Sequence, residues 1–413
     1  MQPLERRLDT RRQTIIPLAD LTKSITTRWR NISAGRRETA RLLAGIGLLL
    51  AVWRFCILAY SLILARVGGG EPWPAEYAGM RLWRFSVRHD AEQYLRIAEQ
   101  GYSQVAAEPS SVTFFPAFPL AISIADALLP GSDVLAALLI VHIALACGLA
   151  YVFRLARLDS DERAAWWAVG FLLMFPWAVY FSAVYPHSLL LLAVAGALYH
   201  ARRGQWWRAG GFGVVAGATS LAGLTLIVPL TLELRQWAKT HALRPRGVIP
   251  VALAPLGGIA YFAYVISEFG SLSVYVDGLR EQDKWMPSSV LFSGADYLRE
   301  YRDPLLTITR PLLPAHEVYV GVELTLIGVF LAAGALLWWK GRRSYAALVV
   351  LMTLVPVLTG TRLGIGGHVA VLFPVFILAG RIRQEGVRMA LSIILTLGLS
   401  LTVLLFVQGR WPG

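Results

Sequence analysis

Two cysteines stand in a chain of 413 residues, Cys56 and Cys147, each inside an apolar run. No disulfide framework and no thiolate metal site can be assembled from such a pair. Charge is scarce too. Asp, Glu, Lys and Arg make up 16% of the chain, against roughly 25% in a typical soluble domain. The longest polar intervals are only about the size of a large loop, so a separate soluble domain is excluded. Acids are the rarer sign, 26 against 39 Lys and Arg. The polar intervals assigned below to the outer side hold no HxH, HExxH or DxD element, which leaves a catalytic metal without support. The glycines around Gly210 and Gly213 lack the GK[ST] ending of a phosphate-binding P-loop and sit in apolar sequence.

What the chain has in abundance is hydrocarbon. Hydrophobic residues make up 56% of it, with a mean hydropathy of +0.55. Several uninterrupted apolar runs approach the ~20 residues that cross a bilayer as helix. The expectation is an all-α, polytopic transmembrane protein. A net charge of +13 raises the question of nucleic acid, but its placement argues otherwise. Arg6, Arg7, Arg11, Arg12, Lys23, Arg28, Arg30, Arg36, Arg37 and Arg41 precede the first span, against only four acids. A basic flank beside a hydrophobic helix is the positive-inside signal, strengthened by anionic lipid. Residues 1–40 therefore read as a basic cytoplasmic tail, flexible to about residue 38, and 41–413 as a single transmembrane domain.

Placing each later basic cluster on the same side gives about nine spans: 42–65, 135–153, 164–182 with a kink at Pro176, 189–199, 248–266, 318–339, 346–358, 369–379 and 391–407. Residues 114–129 are short and proline-rich and read as a half-inserted helix. The glycine-rich block 210–233, broken near Ser220, reads as a re-entrant pair, tolerable where protein or a wet cavity surrounds it. Two long outer loops remain, about 67–113 and 267–315, with a shorter one at 359–368 and a tight turn at 183–188.

The first outer loop is the chain's most distinctive polar stretch. Asp90 opens a short amphipathic helix and, with Gln93 three residues on, fits a capping box. Gln93, Tyr94, Ile97 and Ala98 would share one face, and Gly101 supplies the stop before Tyr102. A capping carboxylate is worth roughly 1 kcal/mol; the same group could instead serve as a general base, with Arg88 and His89 holding it ionised or meeting a phosphate. Spacing alone does not separate these roles. His187 and His368 lie beside outer loops, and Arg280 and Trp285 sit in a charged, aromatic segment suited to phosphate and sugar, although Trp285 equally suits an interfacial anchor. Ionisable residues collected at one side of an apolar body point to a site there, though outer loops meeting water are polar in any case.

The segment Arg88-His89-Asp90-Ala91-Glu92-Gln93-Tyr94-Leu95-Arg96-Ile97-Ala98-Glu99-Gln100-Gly101-Tyr102, followed by Phe114-Phe115-Pro116-Ala117-Phe118-Pro119, resembles the first outer loop of the PIG-V family. These are the GPI mannosyltransferase 2-like membrane glycosyltransferases of the GT-C superfamily and their bacterial relatives. The stretch from Phe175-Pro176 through Ser182, Tyr185 and His187-Ser188 is similar to that family's F-P-x-x-x-x-x-S-x-x-Y-x-E-S, and Phe373-Pro374-Val375-Phe376 to its final F-P-x-F. The likeness spans most of residues 40–380. Departures are His89 for the family's Trp, His187 for its Glu, Leu221 in the element where an Arg is usual, and His368-Val369 for an Arg-Tyr pair.

The resemblance implies a GT-C fold in a multi-pass, plasma-membrane protein of bacterial type. It implies inverting transfer of a mannose-like sugar from a polyprenyl-phosphate donor to a glycan, glycolipid or protein acceptor on the non-cytoplasmic face. Asp90 would be the catalytic base. The substrate-binding candidates are Arg88, His89, Tyr94, Tyr102, Tyr185, His187, Arg280, Trp285, Arg362 and His368. No cofactor, metal or nucleic acid is called for; membrane lipid is a partner. The alternative is a catalytically degenerate relative that binds lipid or scaffolds a partner. A transporter would favour repeated halves with broken helices, and no internal repeat is visible.

Overall fold

The structure is a computed structural model, and it describes residues 18–67, 80, 83–103, 111–128, 131–242, 245–285, 315–359 and 364–409. Every regular element among them is helical. Residues 1–49 and 50–413 form two compact units. The first contains the beginning of α1, Leu18–Val67; all that follows belongs to the second.

Helix α1 starts inside what the sequence suggests is a flexible tail. No proline interrupts residues 18–67, and Lys and Arg are good helix formers, so the apolar run propagates backwards through its basic flank. The part of it long and apolar enough to cross a membrane is Arg37–Arg66. Among the described residues four further helices are long and apolar enough to cross: Asp133–Asp159, Gly247–Phe269, Gly321–Trp339 and Glu385–Val407. These five mark a membrane protein. Of the other four expected spans, 189–199 and 346–358 fall in helices of 16 and 17 residues, while 164–182 and 369–379 are broken at Pro176 and at Val371–Leu372.

In order, α2 is Ala91–Gln100, α3 Ala117–Leu128, α4 Asp133–Asp159, α5 Glu162–Met174 and α6 His187–Arg202. Pro176 ends α5 where the sequence suggests a kink. Phe175, directly before it, is extended at φ −59, ψ 138, and a 3-10 turn over Pro176–Phe181 follows. Proline disfavours the helical region for its predecessor, so the chain leaves the helix and presents Trp177, Tyr180 and Phe181 to the core. Helices α7, Trp206–Thr219, and α8, Leu221–Leu224, are parted at Ser220, whose side chain accepts from the Ala222 N–H. Next come α9, Ile227–Trp237, α10, Pro245–Leu253, α11, Leu256–Phe269, and α12, Ser273–Trp285. The last group is α13, Ala315–Trp339, α14, Arg343–Thr359, α15, Ile365–Ala370, α16, Phe373–Gly380, and α17, Glu385–Val407.

Helix α6 packs between α4 and α7, α5 against α16, and α13 against α14. A Cβ at Gly257 of α11 would run into the α7 backbone at Val214 and Ala218. Such small residues let membrane helices approach closely without a hydrophobic drive between them. The arrangement has two ends. His187 begins α6 and Arg202 closes it; sixteen residues at 1.5 Å rise hold those ends roughly 23 Å apart. The first end gathers residues 84–90, 182–187, 364–368 and the close of α17. The second gathers Asp159, Arg202, Arg342 and Arg381.

Candidate functional site

The capping box is not formed. Asp90 has helical φ, ψ of −61 and −14, and its carboxylate makes no capping bond. An N-cap residue is normally extended, which lets its side chain fold back onto the first turn. Here the first donors are met by backbone: Ala91 N–H bonds the Arg88 carbonyl at 3.2 Å and Glu92 N–H that of His89 at 3.4 Å. His89 makes this possible. It is the sole non-glycine among the described residues with positive φ, at 52°. That left-handed region costs a side-chain-bearing residue of order 1–3 kcal/mol, and such outliers cluster at functional sites.

The turn is bolted to the rest of the protein by long-range bonds. Arg54, within α1, donates from Nη1 to the Ser182 carbonyl at 2.9 Å and from Nη2 to Ser86 Oγ at 2.8 Å. The Val184 N–H donates to the Ser86 carbonyl at 2.9 Å, and the Tyr185 hydroxyl to the Arg88 carbonyl at 3.1 Å. Arg88 itself is buried and donates from Nη2 to the Val407 carbonyl at 3.1 Å, near the end of α17. Exchanging Arg54 for Gln removes the double tether. Hydrogen exchange at residues 84–90 and 182–185 is then expected to accelerate relative to α4, and unchanged protection would show that the tether is dispensable.

Asp90 itself is half-buried, and no described side chain bonds or ion-pairs with its carboxylate. Loss of hydration pushes its pKa up to about 6. Around it stand rings. Tyr94 meets Phe114, Phe118 and Tyr185 edge-on, at 5.0, 5.3 and 6.3 Å between centroids. His89 meets Phe406 at 5.9 Å, and Tyr185 contacts Tyr180 and His187 at 4.8 and 5.7 Å. Burial, reinforced by the charge of Asp90, keeps the Tyr94 and Tyr185 hydroxyls protonated far above their ordinary range.

His187 stacks on Tyr180 at 5.0 Å and lies 6.5 Å from the His368 ring. Its Nδ1 is buried with no hydrogen-bond partner among the described residues. Burial lowers His187 to about 3, with His368 adding to the shift, and His368 to about 4. His89 is lowered to about 4 by burial and by Arg88. All three imidazoles are therefore neutral at pH 7 and serve as hydrogen-bonding groups, not cations. Helix α15 reaches this position on glycine. A Cβ at Gly366 would overlap the Trp177 indole, and one at Gly367 would lie 2.8 Å from His187 Nε2. Gly366→Ala should cost about 1–3 kcal/mol through overpacking, read as a lower thermal midpoint; an unchanged midpoint would mean the indole has room to move.

Seven of the eleven sequence candidates thus come together: Asp90, Arg88, His89, Tyr94, Tyr185, His187 and His368. Tyr102 belongs to a neighbouring cluster, donating to the Phe114 carbonyl at 2.8 Å and packing on Tyr261 and Tyr264. Arg280 and Trp285 fall on α12 with side chains outside the described residues, and Arg362 lies outside them altogether. Among the described residues no three or more His, Cys, Asp or Glu side chains converge as metal ligands. Sequence reasoning missed Glu323, 2% exposed, which accepts from the Gly364 N–H at 3.1 Å where α15 begins. A carboxylate inside an apolar helix is the signal that points to it, as a guanidinium does for Arg54.

No family model matches the chain, and no curated protein matches it. Among solved structures, the oligosaccharyltransferase of Archaeoglobus fulgidus in apo form is 13% identical with a TM-score of 0.39, over 87% of this chain and 56% of that one. The same enzyme tethered to an acceptor peptide containing the NVT sequon gives 13%, 0.39, 87% and 55%. Archaeal AglB from that organism, in complex with an inhibitory peptide and a dolichol-phosphate, gives 12%, 0.38, 86% and 55%. The chain spans about half the length of these proteins.

Proposed function

We propose that the protein is an inverting membrane glycosyltransferase in which Asp90 is the general base. The observation that carries this reading is a carboxylate with no structural employment. It neither caps its helix nor pairs with a described cation, it sits on a strained turn, and desolvation places its pKa near neutrality. A base poised near the working pH combines the correct protonation state with proton-transfer driving force. The resemblance to PIG-V enzymes around Asp90 supplies the substrate class, a mannose-like sugar on a polyprenyl phosphate.

In the reaction, an acceptor hydroxyl gives its proton to Asp90 as its oxygen bonds the sugar's anomeric carbon. The bond from that carbon to the phosphate oxygen breaks, and the polyprenyl phosphate leaves with the electron pair. Tyr94, held protonated, remains a hydrogen-bond donor beside the base, while Tyr185 gives its hydroxyl proton to the Arg88 carbonyl. The neutral imidazoles of His187 and His368 suit sugar hydroxyls better than a phosphate. Arg280 and Arg362 are the proposed phosphate partners, and the face is the non-cytoplasmic one. The direct test reconstitutes the purified chain in vesicles with radiolabelled polyprenyl-phosphate mannose and scores release of polyprenyl phosphate with label transfer. No consumption of any lipid-linked hexose would overturn the reading.

A second reading has its own support. The two described arginines that bind this turn, Arg54 and Arg88, are hydrogen-bonded to the protein. A relative that has lost catalysis and retains lipid binding or scaffolding would show this pattern as well. It predicts a bound polyprenyl phosphate without turnover.

A further inference from the structure

The second end of the bundle carries a different kind of site. The side chain of Asp159, at the close of α4, is buried and receives a bidentate pair from Arg202, Nη2 to Oδ1 at 2.7 Å and Nη1 to Oδ2 at 2.9 Å. Arg342 reaches Oδ1 at 2.6 Å. Arg381 lies 4.0 Å from Oδ2 and donates to the Asp159 carbonyl at 3.0 Å. Glu233 is committed to Ser344 at 2.5 Å. Even with Glu233 counted as ionised, Arg202, Arg342 and Arg381 meet two carboxylates among the described residues. A planar guanidinium has five donors, so one shared carboxylate leaves the outer edges of Arg342 and Arg381 with capacity. Their side chains are 37% and 31% exposed.

Beside those outer edges is a small, mainly apolar cleft, too small for a phosphate, bordered by Lys340, Arg342, Tyr345, Arg381, Leu337 and Pro374, so an anion would meet the three cations at the surface over its mouth. Its depth in the bilayer is marked by aromatics. Trp338 and Trp339, at the end of α13, are 50% and 82% exposed, and the Arg343 guanidinium lies over the Trp338 ring at 5.5 Å. Exposed tryptophans closing an apolar span mark the headgroup region. Basic surfaces at that depth, with apolar surface beside them, have the composition that receives a phosphate whose acyl chains continue along the bundle.

We propose that the basic surface over this cleft binds the phosphate of an anionic phospholipid head group, with Lys340, Arg342 and Arg381 as its donors. The site is distinct from the Asp90 region, at the other end of α6. A neutral zwitterionic lipid meets the same cations with its own ammonium in the way, so the preference is for a head group with net negative charge.

The test uses the full chain in mild detergent, with native mass spectrometry after titration of phosphatidylglycerol, phosphatidylcholine or inorganic phosphate. Phosphatidylglycerol should be retained in preference to phosphatidylcholine. Lys340→Gln and Arg381→Gln should each weaken that retention about fivefold. Lys340 is exposed and its side chain makes no bond among the described residues, so its substitution tests binding without disturbing the Asp159 cluster. Equal retention of both lipids, or retention unchanged in Lys340→Gln, would overturn the proposal. Saturation by inorganic phosphate at the affinity of the lipid would overturn the assignment to a head group.

Discussion

Replacing Asp90 with Asn should lower sugar transfer by about 10²–10⁴-fold, the range a positioned general base contributes, while the protein stays folded. The amide keeps the shape of the carboxyl and loses only the ability to take a proton. Stability should change little because the carboxylate holds no capping bond and no ion pair among the described residues. The wild-type pH profile supplies the second half of the expectation. Burial raises the Asp90 pKa to about 6, so the base is ionised above that value and progressively protonated below it. Initial rates at low substrate should therefore rise between pH 5 and 7 and level off above. At pH 5 about a tenth of the molecules would carry the active carboxylate. Residual activity in Asp90→Asn should lack this limb. Full turnover by the variant, or a flat wild-type profile, would remove Asp90 from the chemistry.

Asp159→Asn should be the most destabilising of the conservative changes. The carboxylate is completely buried, and three guanidinium groups depend on it. Removing the anion that these three guanidinium groups share leaves charge uncompensated, at a cost of about 2–4 kcal/mol once the partial exposure of Arg342 and Arg381 is discounted. The thermal midpoint in detergent should fall accordingly. Arg163→Gln provides the contrast. It breaks the ion pair with Glu385, an equally short 2.8 Å, but its members are 65% and 79% exposed; an exposed pair is worth ~0–1 kcal/mol. Comparable midpoints for the two variants would mean that the Asp159 cluster is not the clamp its burial implies.

The helical, membrane-embedded character of the chain was legible from composition and run length. So were single stops, Gly101 after α2 and Ser220 between α7 and α8, because each is decided by its own backbone preference. Pro176 was legible as an interruption but not as an ending; the choice fell to the packing of Trp177 and Phe181. The role of Asp90 as a cap was the natural reading of Asp90 with Gln93, and it failed for a non-local reason. The conformation of the turn is set by bonds from Arg54, Val184 and Tyr185 and by the one Arg88 donates to Val407, between residues 32 to 319 positions apart. No local pattern encodes that. The approach of His187 to His368 is likewise hidden in sequence, since it depends on Gly366 and Gly367 admitting α15 against Trp177 and His187.

The hydrogen bond from Arg88 to Val407 has a consequence for how the protein is made. Its partners are separated by 319 residues, so the loop bearing Asp90 leaves the ribosome long before the helix that braces it. Phe406, which packs on His89 and Tyr185, arrives at the same late moment. A nascent chain lacking α17 therefore has its carboxylate but not the wall behind it. Assembly of the wall around Asp90 waits on insertion of that helix.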